Sequence, residues 1–164
     1  MAFETFIGKH WNQSIPVNLV QFARSVNIEI LPAMGVQYVV AIDYDSRTLH
    51  VNVDEPSIRK RFAVAHAIGH FALGHLKAGE SHADHPASYD NRHARYVDRQ
   101  ANAFALELLM PDRNLLEAIE AGSDEASLCK QFLVSSKALS ARIKMIGCEA
   151  AVLRPVKCER KMQA

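Results

Sequence analysis

Two histidines four residues apart, His66 and His70, stand inside the run Phe62-Ala-Val-Ala-His-Ala-Ile-Gly-His-Phe-Ala-Leu-Gly-His75. With 3.6 residues per helical turn they differ by about 40° in azimuth, so on an α-helix both imidazoles can reach one metal ion. From Phe62 to Leu73 the run is apolar on every side, which predicts an enclosed helix rather than a surface one. Polar rings inside such a helix need partners, because leaving one unpaired costs on the order of 1–3 kcal/mol. On this stretch alone two readings stay open: zinc bound at the ring nitrogens, or core histidines hydrogen-bonded to carbonyls.

A further donor lies downstream in Arg95-Tyr-Val-Asp-Arg-Gln-Ala-Asn-Ala-Phe-Ala-Leu-Glu-Leu-Leu-Met-Pro111. Val97, Ala101, Phe104, Ala105 and Leu108 recur at helical spacing, giving a core-facing stripe that Pro111 terminates. Asp98 sits on the margin of that stripe, within about 20° of the azimuth of Ala105, so its carboxylate projects inward beside small side chains. Two histidines from one helix and a carboxylate from the next would give zinc three protein ligands and an open fourth position, the catalytic arrangement. The competing reading of Asp98 is a solvated residue at a helix edge.

In the H-E-x-x-H pattern of zinc peptidases, the residue after the first histidine is the general base that takes a proton from the attacking water. Here that position is Ala67. A positioned base is worth about 10²–10⁴-fold in rate, so the chain as written is expected to hydrolyse peptides poorly or not at all. Two origins fit an alanine there: a natural pseudo-enzyme, or a glutamate-to-alanine change that traps substrate. Retention of every neighbouring motif residue favours the second. Glu80 lies past the helix and reads as a solvated loop residue rather than a replacement base.

These motifs resemble the ImmA/IrrE family of zinc metallopeptidases, the anti-repressor type. Arg61-Phe-Ala-Val-Ala-His-Ala-Ile-Gly-His corresponds to the family's R-F-T-L-A-H-E-L-G-H, and Ala101-Asn-Ala-Phe-Ala-Leu-Glu-Leu-Leu-Met-Pro to its A-N-x-F-A-x-x-L-L-M-P. The resemblance runs from about Pro16 to Gly147. It implies one zinc ion per chain on His66, His70 and the acidic residue three places before the Ala-Asn pair, which is Asp98 here where family members commonly have Glu. A shorter carboxylate must bring its helix closer or bind in another mode. For substrate it implies a helix-turn-helix transcriptional repressor, cut to relieve repression. The competing function is a non-catalytic zinc-containing module that captures a repressor or DNA.

The elements that must position these residues are legible in part. A helix is predicted over Pro16 to Ile28, with Leu19, Phe22, Ala23 and Val26 inward. A β-hairpin is predicted between Val36 and Val53 around Tyr44-Asp-Ser-Arg47, as the candidate edge for holding an extended peptide by strand addition. Pro56 suits the first turn of the histidine helix. The polar, histidine-rich residues 77 to 94 read as a loop over the site; His82, Asp84, His85 and His93 within it make a poor second metal site without regular structure. His75 would point about 140° from His70 if the helix continued, joining only if Gly74 ended it. His93 or Tyr96 are the candidates to polarise a substrate carbonyl.

Asp124 to Phe132, Leu133 to Ser136 and Lys137 to Ile146 read as helix, turn and helix, with Ser135 as N-cap and Leu139, Ile143 and Ile146 inward. Lys137, Arg142 and Lys144 could face DNA, yet from Arg113 onward nine Lys or Arg stand against six Asp or Glu. That balance disfavours direct DNA binding and favours a helical pair packed on the core or touching a protein.

The expected class is α+β: a mostly helical, zincin-like metallopeptidase domain with a small β-hairpin or sheet and a helix-turn-helix-like C-terminal pair. Residues 1–164 are expected to form a single domain, with 113–147 as the helical C-terminal subregion and 155–164 a frayed tail. A 49% hydrophobic share and a net charge of +1 suit a globular core and exclude a strongly basic or acidic chain. No run approaches the roughly 18 apolar residues of a membrane span. Cys129, Cys148 and Cys158 are too few and irregular for a disulfide framework, which points to reduced thiols and a cytoplasmic location. Nothing in the sequence sets the oligomeric state.

Overall fold

A small mixed sheet lies against one of two central, mutually packed helices in the computed structural model, which describes residues 2–84 and 96–147. The elements run α1 (Ala2–His10), α2 (Leu19–Ser25), β1 (Glu29–Ala33), β2 (Val40–Asp43), β3 (Thr48–Asn52), α3 (Ser57–Ala72), β4 (Ser81–Asp84), α4 (Tyr96–Leu109), α5 (Asp112–Glu120), α6 (Glu125–Phe132) and α7 (Ser136–Ile146). The class is α+β and mostly helical, as the sequence predicts.

The strand order is β1-β3-β2-β4, with β1 parallel to β3 and the other two pairings antiparallel. Val40 and Ile42 pair with Val51 and Leu49, and all four side chains are buried on the face that meets α3. The predicted hairpin therefore forms, with Arg47 in the left-handed region of the turn at φ 52. Its proposed role as an edge does not hold: β1 and β4 flank it, so both hairpin strands lie inside the sheet. β4 itself falls within 77 to 94, where the sequence reads as loop. Its four residues, Ser-His-Ala-Asp, carry no apolar alternation, and the strand exists because β2 offers it a row of backbone partners.

The helix predicted over Pro16 to Ile28 is shorter at both ends. Asn18 caps it, its side-chain oxygen accepting from the Gln21 N–H at 3.0 Å, and Asn27 at φ 57 turns the chain into β1. Helix α1 carries no sequence signature as clear as the others, yet Phe3 and Phe6 meet Phe104 of α4 with ring centres 5.7 and 6.1 Å apart.

At the C-terminal end the predicted helix, turn and helix all form. Asp124 and Ser135 cap α6 and α7 by accepting from Ser127 and Ala138 N–H groups. Leu139 and Ile143 are buried against the rest of the molecule. Arg142 is buried beside them, so it is not among the side chains available to face DNA. Its Nε donates to the Met110 carbonyl at 3.1 Å and its Nη2 to the Asp112 carboxylate, which pins α7 to the Met-Pro junction that ends α4. Among the described residues no helix is long and apolar enough to cross a membrane.

Candidate metal centre

Pro56 stands at the N-cap, one residue before α3 rather than within its first turn, with a φ of −55° that suits the entry, and every residue from Ala63 to His70 is buried. Such enclosure requires neighbours on all sides, and α4, β2, β3 and α2 supply them. One close approach is at Gly69. A Cβ built there would fall 3.1 Å from Phe104 Cδ1 and 3.2 Å from both the Cα and the carbonyl oxygen of Ala101. Glycine on one helix and alanine on the other thus let two backbones touch, and that contact brings α4's first turns over the histidines.

The consequence is a buried cluster. His66, His70 and Asp98, exposed by 0%, 1% and 4%, each offer a donor atom, and the three atoms lie within 4.8 Å of one another. His66 Nε2 and His70 Nε2 are 3.0 Å apart, and Asp98 Oδ1 is 3.6 Å from His70 Nε2. Two donors held at about 2.1 Å on a tetrahedral ion would be separated by about 3.4 Å, a value these two distances bracket. The remaining ring nitrogens face away: His66 Nδ1 lies 2.9 Å from Asn102 Oδ1, and His70 Nδ1 3.2 Å from His75 Nδ1. Two buried imidazoles and one buried carboxylate that converge, with the outer ring nitrogens already engaged, form a donor set that fits zinc.

Residues 23–144 match the peptidase family described as the IrrE N-terminal-like domain. The chain belongs to this family. A solved Mycobacterium tuberculosis transcriptional regulator superposes on 88% of this chain with a TM-score of 0.63 at 16% sequence identity, which shows a shared fold. The match covers 46% of that regulator, so the present chain spans just under half of its length. No curated protein sequence matches at a significant level.

Within this IrrE-like domain, Ala67 is fully buried beside His66. His75 is placed by the end of α3. Gly74 at φ 65 donates to the Phe71 carbonyl and His75 N–H to the His70 carbonyl, a Schellman ending that reverses the chain. The helix does stop at Gly74, the condition under which His75 would turn toward the site. It meets His70 from behind rather than entering the donor cluster. Burial pushes the His75 imidazole below its ordinary range, opposed by its hydrogen bond with Gln100.

Tyr96, at the start of α4, is 67% exposed and receives a hydrogen bond from Gln100 Nε2 at 3.3 Å. His93 lies outside the described residues, as do His85 and the two later cysteines. The sequence places His82 in a loop, as one member of a poor second metal site. Its register opposite Ile42 turns it to the α3 face of the sheet, with its ring centre 5.2 Å from that of His70. Asn102, missed in the sequence, follows Asp98 by four residues and so shares its face of α4; that spacing was the available signal.

Proposed function

We propose that this chain is a zinc-dependent endopeptidase domain acting on a helix-turn-helix transcriptional repressor in the cytoplasm, and that with Ala67 it holds the substrate without cutting it. The observation that carries this reading is the convergence of His66 Nε2, His70 Nε2 and the Asp98 carboxylate in one buried cluster. These three residues would hold the metal. Zinc, when bound, supplies a Lewis acid that activates water and polarises the scissile carbonyl.

What the chain's own residues contribute follows from their placement. Asn102 and His75 keep the two ligand rings aimed inward. Strand β4 has β2 as its one strand partner among the described residues, so its other edge can receive an extended peptide by strand addition beside the cluster. The opposite edge strand, β1, contains Pro32, which has no N–H to give and is a poorer template. At position 67 a methyl group stands where a carboxylate would accept the proton of the attacking water, so bond cleavage lacks its base.

That absence also favours a second reading, a non-catalytic zinc-containing module that captures a repressor or DNA. DNA contact has only Lys137 and Lys144 exposed on α7, since Arg142 is buried. The test is to incubate the chain and its Ala67→Glu variant with a helix-turn-helix repressor encoded beside it. Cleavage by the Glu form alone establishes the peptidase. Binding by both and cleavage by neither establishes the module.

A further inference from the structure

We propose that Asn102 and the pair His75 and Gln100 are positioning residues that fix His66 and His70 in the Nδ1–H tautomer, so that both Nε2 lone pairs meet at one point before any metal arrives. This rests on the zinc reading above and goes beyond it by assigning work to three residues outside the donor cluster.

The argument follows from which atoms can donate. The oxygen of Asn102, 2.9 Å from His66 Nδ1, can only accept, so that ring nitrogen carries the hydrogen and Nε2 keeps its lone pair. The second chain is longer. Gln100 Oε1, 3.2 Å from His75 Nε2, accepts, so His75 donates there. In its neutral form an imidazole that donates at Nε2 has only an acceptor at Nδ1, and that atom lies 3.2 Å from His70 Nδ1. His70 therefore donates at Nδ1 and its Nε2 carries no hydrogen. Gln100 is in turn held by its amide donating to the Tyr96 hydroxyl at the surface, 3.3 Å away.

Both chains run outward from the buried centre, and neither Nε2 can donate to the other across their 3.0 Å separation. Two facing lone pairs at that distance repel unless a cation lies between them. The positioning residues thus set a charge demand as well as a ring orientation. His70 gains its support from the Schellman turn at Gly74, which is why a residue beyond the end of α3 acts on one inside it.

The experiment measures zinc affinity by competition with a chromophoric chelator and reads tautomers from long-range ¹H–¹⁵N spectra of the imidazole nitrogens, in the full chain with and without zinc. Loss of an outer partner typically weakens metal binding by about 10–100-fold. That loss is expected for Asn102→Leu and for Gln100→Leu, with restoration in Asn102→Asp and Gln100→Glu, which retain an acceptor oxygen. The metal-free Leu variants should show mixed tautomers where the original chain shows Nδ1–H alone. Gln100 is only half-buried, so its variant stands as the test should Asn102→Leu fail to fold. Zinc binding indifferent to both Leu substitutions, with tautomers unchanged, overturns the relay alone. No zinc binding by the original chain, and no change in His66→Ala, overturns the metal reading beneath it.

Discussion

Replacing Gly69 by alanine tests whether the contact between α3 and α4 is what assembles the centre. The added methyl would sit 3.1 Å from Phe104 Cδ1 and 3.2 Å from two backbone atoms of Ala101, all inside ordinary van der Waals contact. Phe104 can rotate, but Ala101 Cα and O move only with their helix, so α4 must shift by a few tenths of an ångström. Overpacking of this kind costs about 1–3 kcal/mol, offset by the roughly 1 kcal/mol that alanine gains over glycine inside a helix. The balance is a net loss of up to about 2 kcal/mol, which lowers the melting temperature by up to about 8 °C for a chain of this size.

Asp98 lies one turn from Ala101 on the same helix, so its carboxylate moves with the backbone, and metal–ligand distances tolerate only about 0.2 Å. Zinc affinity should therefore fall together with stability. Gly8 in α1 is the control: nothing lies within 4 Å of a Cβ built there, so Gly8→Ala should raise stability by about 0.5–1 kcal/mol. Calorimetric melts and a zinc competition titration of both variants decide the matter. A Gly69→Ala protein that melts at or above the original chain and binds zinc equally well would refute the argument that this contact sets the site.

Ala67→Glu should raise peptide hydrolysis by about 10²–10⁴-fold over the chain as given, measured on a repressor substrate and abolished by a chelator. Zinc at one hundred times its dissociation constant should stabilise the fold by about 2.7 kcal/mol, and His66→Ala should erase that shift; an equal melting rise in the variant would place the metal elsewhere. Arg142→Leu should destabilise by about 1–3 kcal/mol in urea unfolding, because it leaves the Met110 carbonyl buried without its donor. The same variant should leave any salt-dependent DNA binding unchanged, and a lost DNA contact instead would mean that Arg142 reaches solvent.

Much of the site is readable along single helices. His66 and His70 are joined by the turn of one helix, and Asp98, Ala101 and Ala105 by the turn of another, so azimuth alone brings each set to one side. Arg142 shows the same rule misapplied. It follows Leu139 by three residues and precedes Ile146 by four, which places it on the inner face, yet its charge suggested a solvent role. His75 was hidden for a different reason: its direction depends on whether Gly74 adopts the left-handed conformation that ends the helix.

The order of residues along the chain determined which side chains share a helix face, where Pro111 stops α4, and that alanine follows His66. These are local properties, set by backbone periodicity and by the chemistry of one residue. Only the tertiary structure decided that β4 shields one side of the hairpin, that His82 turns toward His70, and that Asp98 comes within 3.6 Å of a histidine 28 positions away in sequence, His70. Those facts depend on the distance between elements. Here that distance is set by the absence of a side chain at Gly69 and by hydrogen-bond partners that no single segment contains.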